Sequence, residues 1–449
     1  MKNKPIPVNV FATVALVVLT ATGNAQTTDL RTAYQQAAAS SPLVAQTRAR
    51  WEAEQFGKDI ARSALAPQLT AAGSISQNNL DLTGFSSSAI DESYNPSSYS
   101  VTLTQPLING SAWSTLQASR SIAESFKAGL LAVQQDLILQ TADAYFAVLR
   151  AEALERTVVS RLTLLQKISD RAESERREGT GDIISVEEAR ARLDGAQSER
   201  LSARNGVQLA RRALERLTHQ SADALADLET LEPQGPIPAR MEDWVQSAEN
   251  SQPVLEQARQ KLQASRYTIS AASRGSWPVL SLNAQYLHSD GSFIPEMERR
   301  ESLIGVSVVW PLFQGGAVRA SRARAKALAQ ASQYGLEVLQ DHVRMETQRS
   351  FLNLENSAAQ LTATRRALES ATTALKATQK GYEIGSRSVV EILDSEQRHA
   401  NAESDYTLAL YSQVLARMQL KASAGVLSEQ DVNAINALLN VSAESRSQK

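Results

Sequence analysis

The chain has 449 residues, 46 basic against 48 acidic side chains, 5% aromatic residues and no cysteine. The even charge balance excludes a basic nucleic-acid surface. The lack of cysteine excludes disulfides, thiolate metal sites and a lipid-bearing cysteine terminus. The length suits two or three ordinary domains, but Ala, Gln, Ser, Leu, Arg and Glu dominate, as in long helices rather than thick cores.

Residues 1–25 read as an export signal. Lys2 and Lys4 form the positive end, Val8 to Leu19 the apolar stretch, and Gly23-Asn24-Ala25 a small-residue cleavage site. The mature chain is expected to begin near Gln26, beyond the inner membrane. No later segment is apolar enough for a transmembrane helix, so strands must place this chain in any membrane it occupies.

The thirteen prolines divide the rest. After Pro106 none occurs until Pro233, and after Pro311 none occurs to the end. A proline inside a helix costs about 3 kcal/mol, so its absence marks two very long helical stretches. The halves also repeat. Ser41-Pro42 matches Gln252-Pro253 and Ala66-Pro67-Gln68-Leu69 matches Trp277-Pro278-Val279-Leu280, both at an offset of 211. Leu103 to Gly110 matches Val308 to Gly315 at 205, and Gly179 matches Gly385 at 206. A unit of about 200 residues lies far outside solenoid periods and reads as a duplicated fold. The first repeat is expected over 26–232, the second over 233–440, with a tail at 441–449. Each half reads helix, strand, loop, strand, long helix, turn, helix.

Strands are expected at about 67–77, 99–106, 279–288 and 302–311. Gln68 to Ile75 and Leu280 to Tyr286 alternate apolar or small with polar residues, which suits one lipid-like and one watery face. The connectors Asn78 to Ser98 and His288 to Arg300 read as solvent loops. Four strands cannot close a membrane barrel. Either they form an open sheet in a soluble protein, or several chains share one barrel.

The helical hairpins are expected at about 111–220 and 315–425. Sixty-six residues from Ser111 to Arg176 make about 100 Å of helix. In the second hairpin Leu354, Leu361, Leu368 and Leu375 recur every seven residues, a coiled-coil seam. Such helices make either a plain rod or, packed side by side with copies of themselves, the wall of a tube. At the turn of the second hairpin Arg387, Glu391 and Asp394 fall at i, i+4 and i+7, one face of a helix. By itself that pattern also fits a solvated helix start, where acids suit the helix dipole.

His219, His288, His342 and His399 stand alone, with no second ligand at a metal spacing. No nucleophile elbow, HExxH or phosphate loop occurs. No cofactor, metal or enzymatic activity is expected.

Trp310-Pro311-Leu312-Phe313-Gln314-Gly315-Gly316, Gly381 to Asp394, and Lys421 to Asp431 resemble the TolC family of outer-membrane efflux and type I secretion channels. The likeness covers nearly the whole mature chain. It implies a mainly α fold with membrane strands, assembled as a homotrimer. A twelve-stranded β-barrel in the outer membrane would continue as a twelve-helix α-barrel through the periplasm. It implies passive export, with a periplasmic adaptor and an inner-membrane pump of the resistance-nodulation-division or ABC type. Tyr382 and Arg387 match the family's constraining tyrosine and arginine at the periplasmic constriction. Glu391 and Asp394 match its acidic, cation-binding ring. The family's first-half aspartate aligns with Ser185, with Asp182 and Glu187 as neighbouring substitutes. The turns Gly179-Thr180-Gly181 and Ile384-Gly385-Ser386 correspond to adaptor-docking tips. The competing reading is a periplasmic coiled-coil scaffold or adaptor whose strands form a small soluble domain.

Overall fold

The computed structural model describes residues 28–82, 90–221, 224–228, 230–291 and 297–446. The expected export signal lies outside them, as do the last three residues of the expected tail.

Each repeat opens with two helices where the sequence suggests one. α1 (Leu30–Ser40) and α2 (Pro42–Ser63) meet at Ser41. Pro42 has no N–H to continue α1 but is preformed for a first helical turn, and the Ser41 side chain accepts from the Val44 N–H. Then come β1 (Gln68–Ile75), β2 (Asn78–Leu82), β3 (Ile90–Tyr94) and β4 (Ser97–Ile108). The first long hairpin is α3 (Gly110–Arg177) and α4 (Ile183–Thr218). In the second repeat α5 (Met241–Ser251) and α6 (Pro253–Ser273) again part at a proline. β5 (Val279–Asp290) and β6 (Arg299–Val309) lead into the second hairpin, α7 (Ala317–Glu383) and α8 (Val389–Ser423). α9 (Glu429–Arg446) follows and carries helix into the expected tail.

β1, β4, β5 and β6 form one antiparallel sheet in that order. Its register sorts the side chains by face. Leu69, Leu103, Ala284 and Ile304 stand in one row across all four strands. One residue along, Thr70, Thr102 and Gln285 stand on the other face, with Leu303 ending the row on β6. On that polar face Asn283 donates to Ser307 at 2.8 Å and accepts from Thr104 at 3.3 Å. β2 and β3 are a correction to the solvent loop expected from Asn78 to Ser98: they pair with each other, Asn78 opposite Tyr94 and Leu82 opposite Ile90. Five polar-rich residues carry too weak an alternation to read as a strand, but β1 and β4 deliver their ends side by side, so pairing costs little extra chain entropy. The second connector is also shorter than expected, since β5 runs to Asp290 and β6 starts at Arg299.

Below the sheet the helices keep the strand order, α2 beside α3, α3 beside α6 and α6 beside α7. The main core sits midway along the hairpins. There Tyr145, Phe146 and Leu149 of α3 pack with Leu214 of α4, Leu361 of α7 and Tyr411 of α8, wrapped by α1, α9 and the inter-repeat linker. Of the leucine seam, Leu354 and Leu361 are buried and Leu368 and Leu375 half-buried. Among the described residues no helix is long and apolar enough to cross a membrane.

Candidate functional site

The far ends of the two hairpins are copies of one turn. In the first, the Thr180 and Gly181 N–H groups and the Thr180 hydroxyl all donate to the Glu175 carbonyl at 2.9–3.0 Å. In the second, the Ser386 and Arg387 N–H groups and the Ser386 hydroxyl converge on the Gly381 carbonyl at 2.8–3.2 Å. Gly179 and Gly385 hold φ of 76° and 78°, the left-handed conformation that ends a helix and that a side chain disfavours. Both tips point apolar side chains at solvent, Ile184 being 73% and Ile384 80% exposed.

Past the first turn, Asp182 caps α4. Its carboxylate accepts the Ser185 N–H at 2.8 Å and the Ser185 hydroxyl at 2.9 Å, which holds its carboxyl below the usual range. Glu187 lies 3.5 Å from Arg190, which also holds Glu173 at 2.7 Å. Past the second turn, Ser388 and Glu391 form a capping box: the Glu391 carboxylate accepts the Ser388 N–H at 2.8 Å while the Ser388 hydroxyl accepts the Glu391 N–H at 3.3 Å. Arg387 stands before the helix rather than in it and reaches Glu391 at 2.6 Å. The Ser388 N–H first, then Arg387, hold the Glu391 carboxyl down at about 2. Asp394, one turn on, lies 3.7 Å from Arg192 of α4.

Tyr382 is buried among Leu165, Ile168, Ala189, Val389 and Ile392. Among the described residues its hydroxyl has no hydrogen-bond partner, and burial, then the negative charge of Glu175, push its pKa upward. Among the described residues no hydrogen bond or ion pair joins Tyr382 or Arg387 to Ser185, Asp182 or Glu187. The structure thus gathers the expected residues at one end of the molecule but ties Asp182, Ser185, Glu187 and Glu391 to their own helix starts, while Asp394 reaches across to Arg192.

Three arginines bridge the hairpins instead. Arg171 of α3 lies over the Tyr382 ring, its guanidinium carbon 4.4 Å from the centroid. Arg192 of α4 reaches Asp394. Deeper, Arg161 of α3 donates to Glu199 of α4 and to Gln397 of α8, both at 2.6 Å, and approaches Glu396 at 3.3 Å. Sequence reasoning missed all three. Each bond joining the two hairpins spans about 200 residues or more, and nothing local separates these arginines from the many others on helix surfaces.

Among the described residues no three His, Asp or Glu side chains gather as a metal site. The family model described as outer membrane efflux protein matches residues 33–219 and 244–426. The chain is 28% identical to the outer membrane protein TolC of Vibrio cholerae over 414 residues, 91% of this chain and 93% of that one. It is 29% identical to TolC of Escherichia coli over 430 residues, 92% and 86% of the two. Its fold superposes on the outer membrane protein VceC of V. cholerae with a TM-score of 0.76, at 20% identity, over 88% of this chain and 96% of that one.

Proposed function

The chain belongs to the outer membrane efflux protein family, and from that premise we propose that it is one third of a homotrimeric exit duct crossing the outer membrane and the periplasm. It is a passive export channel of the outer membrane, not an enzyme. What carries the trimer is the sheet: sorted into a mainly apolar and a mainly polar face, it leaves β1 and β6 unpaired at its two edges among the described residues. Open edges are not tolerated in lipid, so the edge of one subunit must pair with the opposite edge of the next. Pairing of unlike edges is head-to-tail and closes into a ring. Two copies would give eight strands, a barrel whose interior side chains just fill. Three give twelve, wide enough for a lumen lined by Thr70, Thr102, Asn283 and Ser307.

The helices follow the same arithmetic. α2 and α7 flank the subunit below β1 and β6, and each leaves apolar side chains open: Phe56 and Ile60 on α2, Val338 and Met345 on α7, all at least 62% exposed. Lower down, α3, α4, α7 and α8 supply four helices per chain, twelve in a trimer. Trp277, Trp310 and Phe313, each at least 52% exposed where the sheet meets the helices, fit the aromatic belt of a membrane interface.

The constriction and partners are read at the hairpin tips. Tyr382, Arg387, Ser185, Asp182 and Glu187 would crowd the periplasmic opening, with Glu391 and Asp394 as its acidic rings. Gly179-Thr180-Gly181 and Ile384-Gly385-Ser386, with the exposed Ile184 and Ile384, would meet a periplasmic adaptor that couples the duct to an inner-membrane pump. The test is the mass of detergent-extracted protein by light scattering. A trimer in the outer-membrane fraction is expected. A monomer, or protein that stays in the soluble periplasmic fraction, overturns the duct in favour of a scaffold.

A further inference from the structure

Resting on the duct reading, we propose that the closed end of this chain is latched from the first hairpin, by Arg171 gripping the Tyr382 ring and the end of α7, and not by the Tyr382 hydroxyl. Four observations lead there. The hydroxyl is sealed from water with no partner among the described residues, so it holds nothing there that opening would break. The ring is packed under the Arg171 guanidinium, the geometry in which a cation is attracted to an aromatic face. The same guanidinium sends Nη2 to the carbonyls of Tyr382 and Glu383, at 3.3 and 3.4 Å. These lie in the last turn of α7, where the dipole favours a cation, and the Tyr382 carbonyl also accepts the Gly385 N–H at 3.1 Å. Nε, meanwhile, donates to Glu175 at 2.7 Å and fixes the fork in place.

The side chains that resemblance assigns to the latch have other bonds here. Arg387 holds Glu391 of its own helix start, and Ser185 donates to its own N-cap Asp182. Swinging α7 and α8 away from α3 leaves both of those contacts intact. It breaks every Arg171 contact to the second hairpin at once. The cationic donor has therefore moved from the second hairpin to the first, and Arg171 is the positioning residue that keeps the tip closed.

Ring and hydroxyl are separated by substitution. In the full-length trimer, hydrogen exchange at the amides of residues 384–388 and single-channel conductance in planar bilayers are measured for six proteins. These are wild type, Tyr382→Phe, Tyr382→Leu, Arg171→Gln, Arg171→Lys and Arg177→Gln. Among the described residues Arg177 bonds only within α3, so its loss controls for removing one positive charge near the tip. Tyr382→Phe and Arg177→Gln are expected to match wild type. Tyr382→Leu and Arg171→Gln should exchange faster, by about tenfold for a half-buried cation–ring contact, and conduct more, Arg171→Gln at an unchanged thermal midpoint. Arg171→Lys, keeping a cation over the ring without the fork, should fall between. If Tyr382→Phe behaves like Tyr382→Leu, the hydroxyl is the latch. If Arg171→Gln behaves like Arg177→Gln, Arg171 is a surface charge. Either result overturns the proposal. Exchange reads the latch without a pore: the expected exchange order in a wild-type protein that never conducts sinks the duct and leaves the hairpin clasp standing.

Discussion

Arg161 of α3 and Glu396 of α8 face each other at 3.3 Å between the two hairpins, with 10% and 5% of their side chains open to water. Burial raises the Glu396 carboxyl to about 7, against the pull of Arg161 and Arg192 and with a push from Glu199. The folded pKa thus stands above the unfolded value near 4.5. Between those two values the folded chain holds a proton that the unfolded chain has lost, so this contribution to stability falls as pH rises from about 4.5 to about 7. Glu396→Gln mimics the protonated side chain and leaves Arg161 its bonds to Glu199 and Gln397. It is expected to raise the thermal midpoint by about 2 °C at pH 8 and to change nothing at pH 4.5. An equal shift at both values would mean that Glu396 titrates normally.

Asp227, in the linker between the repeats, supports the mid-hairpin core by a different route. Its carboxylate accepts the Tyr411 hydroxyl at 2.5 Å and the Leu228 N–H at 2.7 Å, and Arg156 sits 3.1 Å away. Tyr145, beside it, donates to the carbonyls of Thr28 and Ala226. Asp227→Ala leaves a buried hydroxyl and a buried N–H without partners, at about 1–3 kcal/mol each. Asp227→Ala should therefore unfold at clearly lower denaturant than wild type, while Tyr411→Phe with Asp227→Ala recovers part of the loss. No recovery in the double variant would mean that the Tyr411 bond contributes nothing.

Gly425 ends α8 with φ of 72°. A Cβ there would stand 2.5–2.7 Å from the backbone of Ser251 and Gln252, at the break between α5 and α6. Gln252 answers by donating to the carbonyls of Ala422 and Ser423, at 3.0 Å each. Backbone cannot yield as a flexible side chain does, so Gly425→Ala is expected to lower the yield of folded trimer sharply. Gly195→Ala, in open space inside α4, should fold as well as wild type or slightly better. Equal yields would show that the α5–α6 break moves freely.

The architecture was legible because it rests on periodicity and punctuation. The long proline-free stretches, the alternation from Leu280 to Tyr286 and the seven-residue leucine spacing are local signals, and local signals survive in sequence. The β2–β3 hairpin was not legible, because its pairing comes from neighbouring strands rather than from its own residues. At the tips, Asp182 and Ser388 are recognisable caps once the helix starts are known. The Arg171–Tyr382 contact joins positions 211 residues apart. It depends on how two hairpins pack, and no spacing in the chain records that.

The acidic ring is where packing changes an expectation most. In the proposed trimer Glu391 and Asp394 give two rings of three carboxylates, one helical turn apart, and like charges gathered at a narrow opening attract multivalent cations. Within each subunit, however, Arg387 sits 2.6 Å from Glu391 and Arg192 sits 3.7 Å from Asp394. Each exposed pair partly cancels its ring, although water screens both. Removing the arginine should therefore strengthen block where removing the acid abolishes it. In bilayers with a trivalent cation on the periplasmic side, Arg192→Gln is expected to be blocked at concentrations lower by about fivefold. Glu391→Gln with Asp394→Asn should conduct through the block. Raising salt from 0.01 M to 0.1 M shortens screening from about 30 Å to about 10 Å, and should weaken block in wild type and Arg192→Gln alike. Block that is indifferent to both Arg192 and the two carboxylates would place these side chains outside the pore, on a solvated helix start.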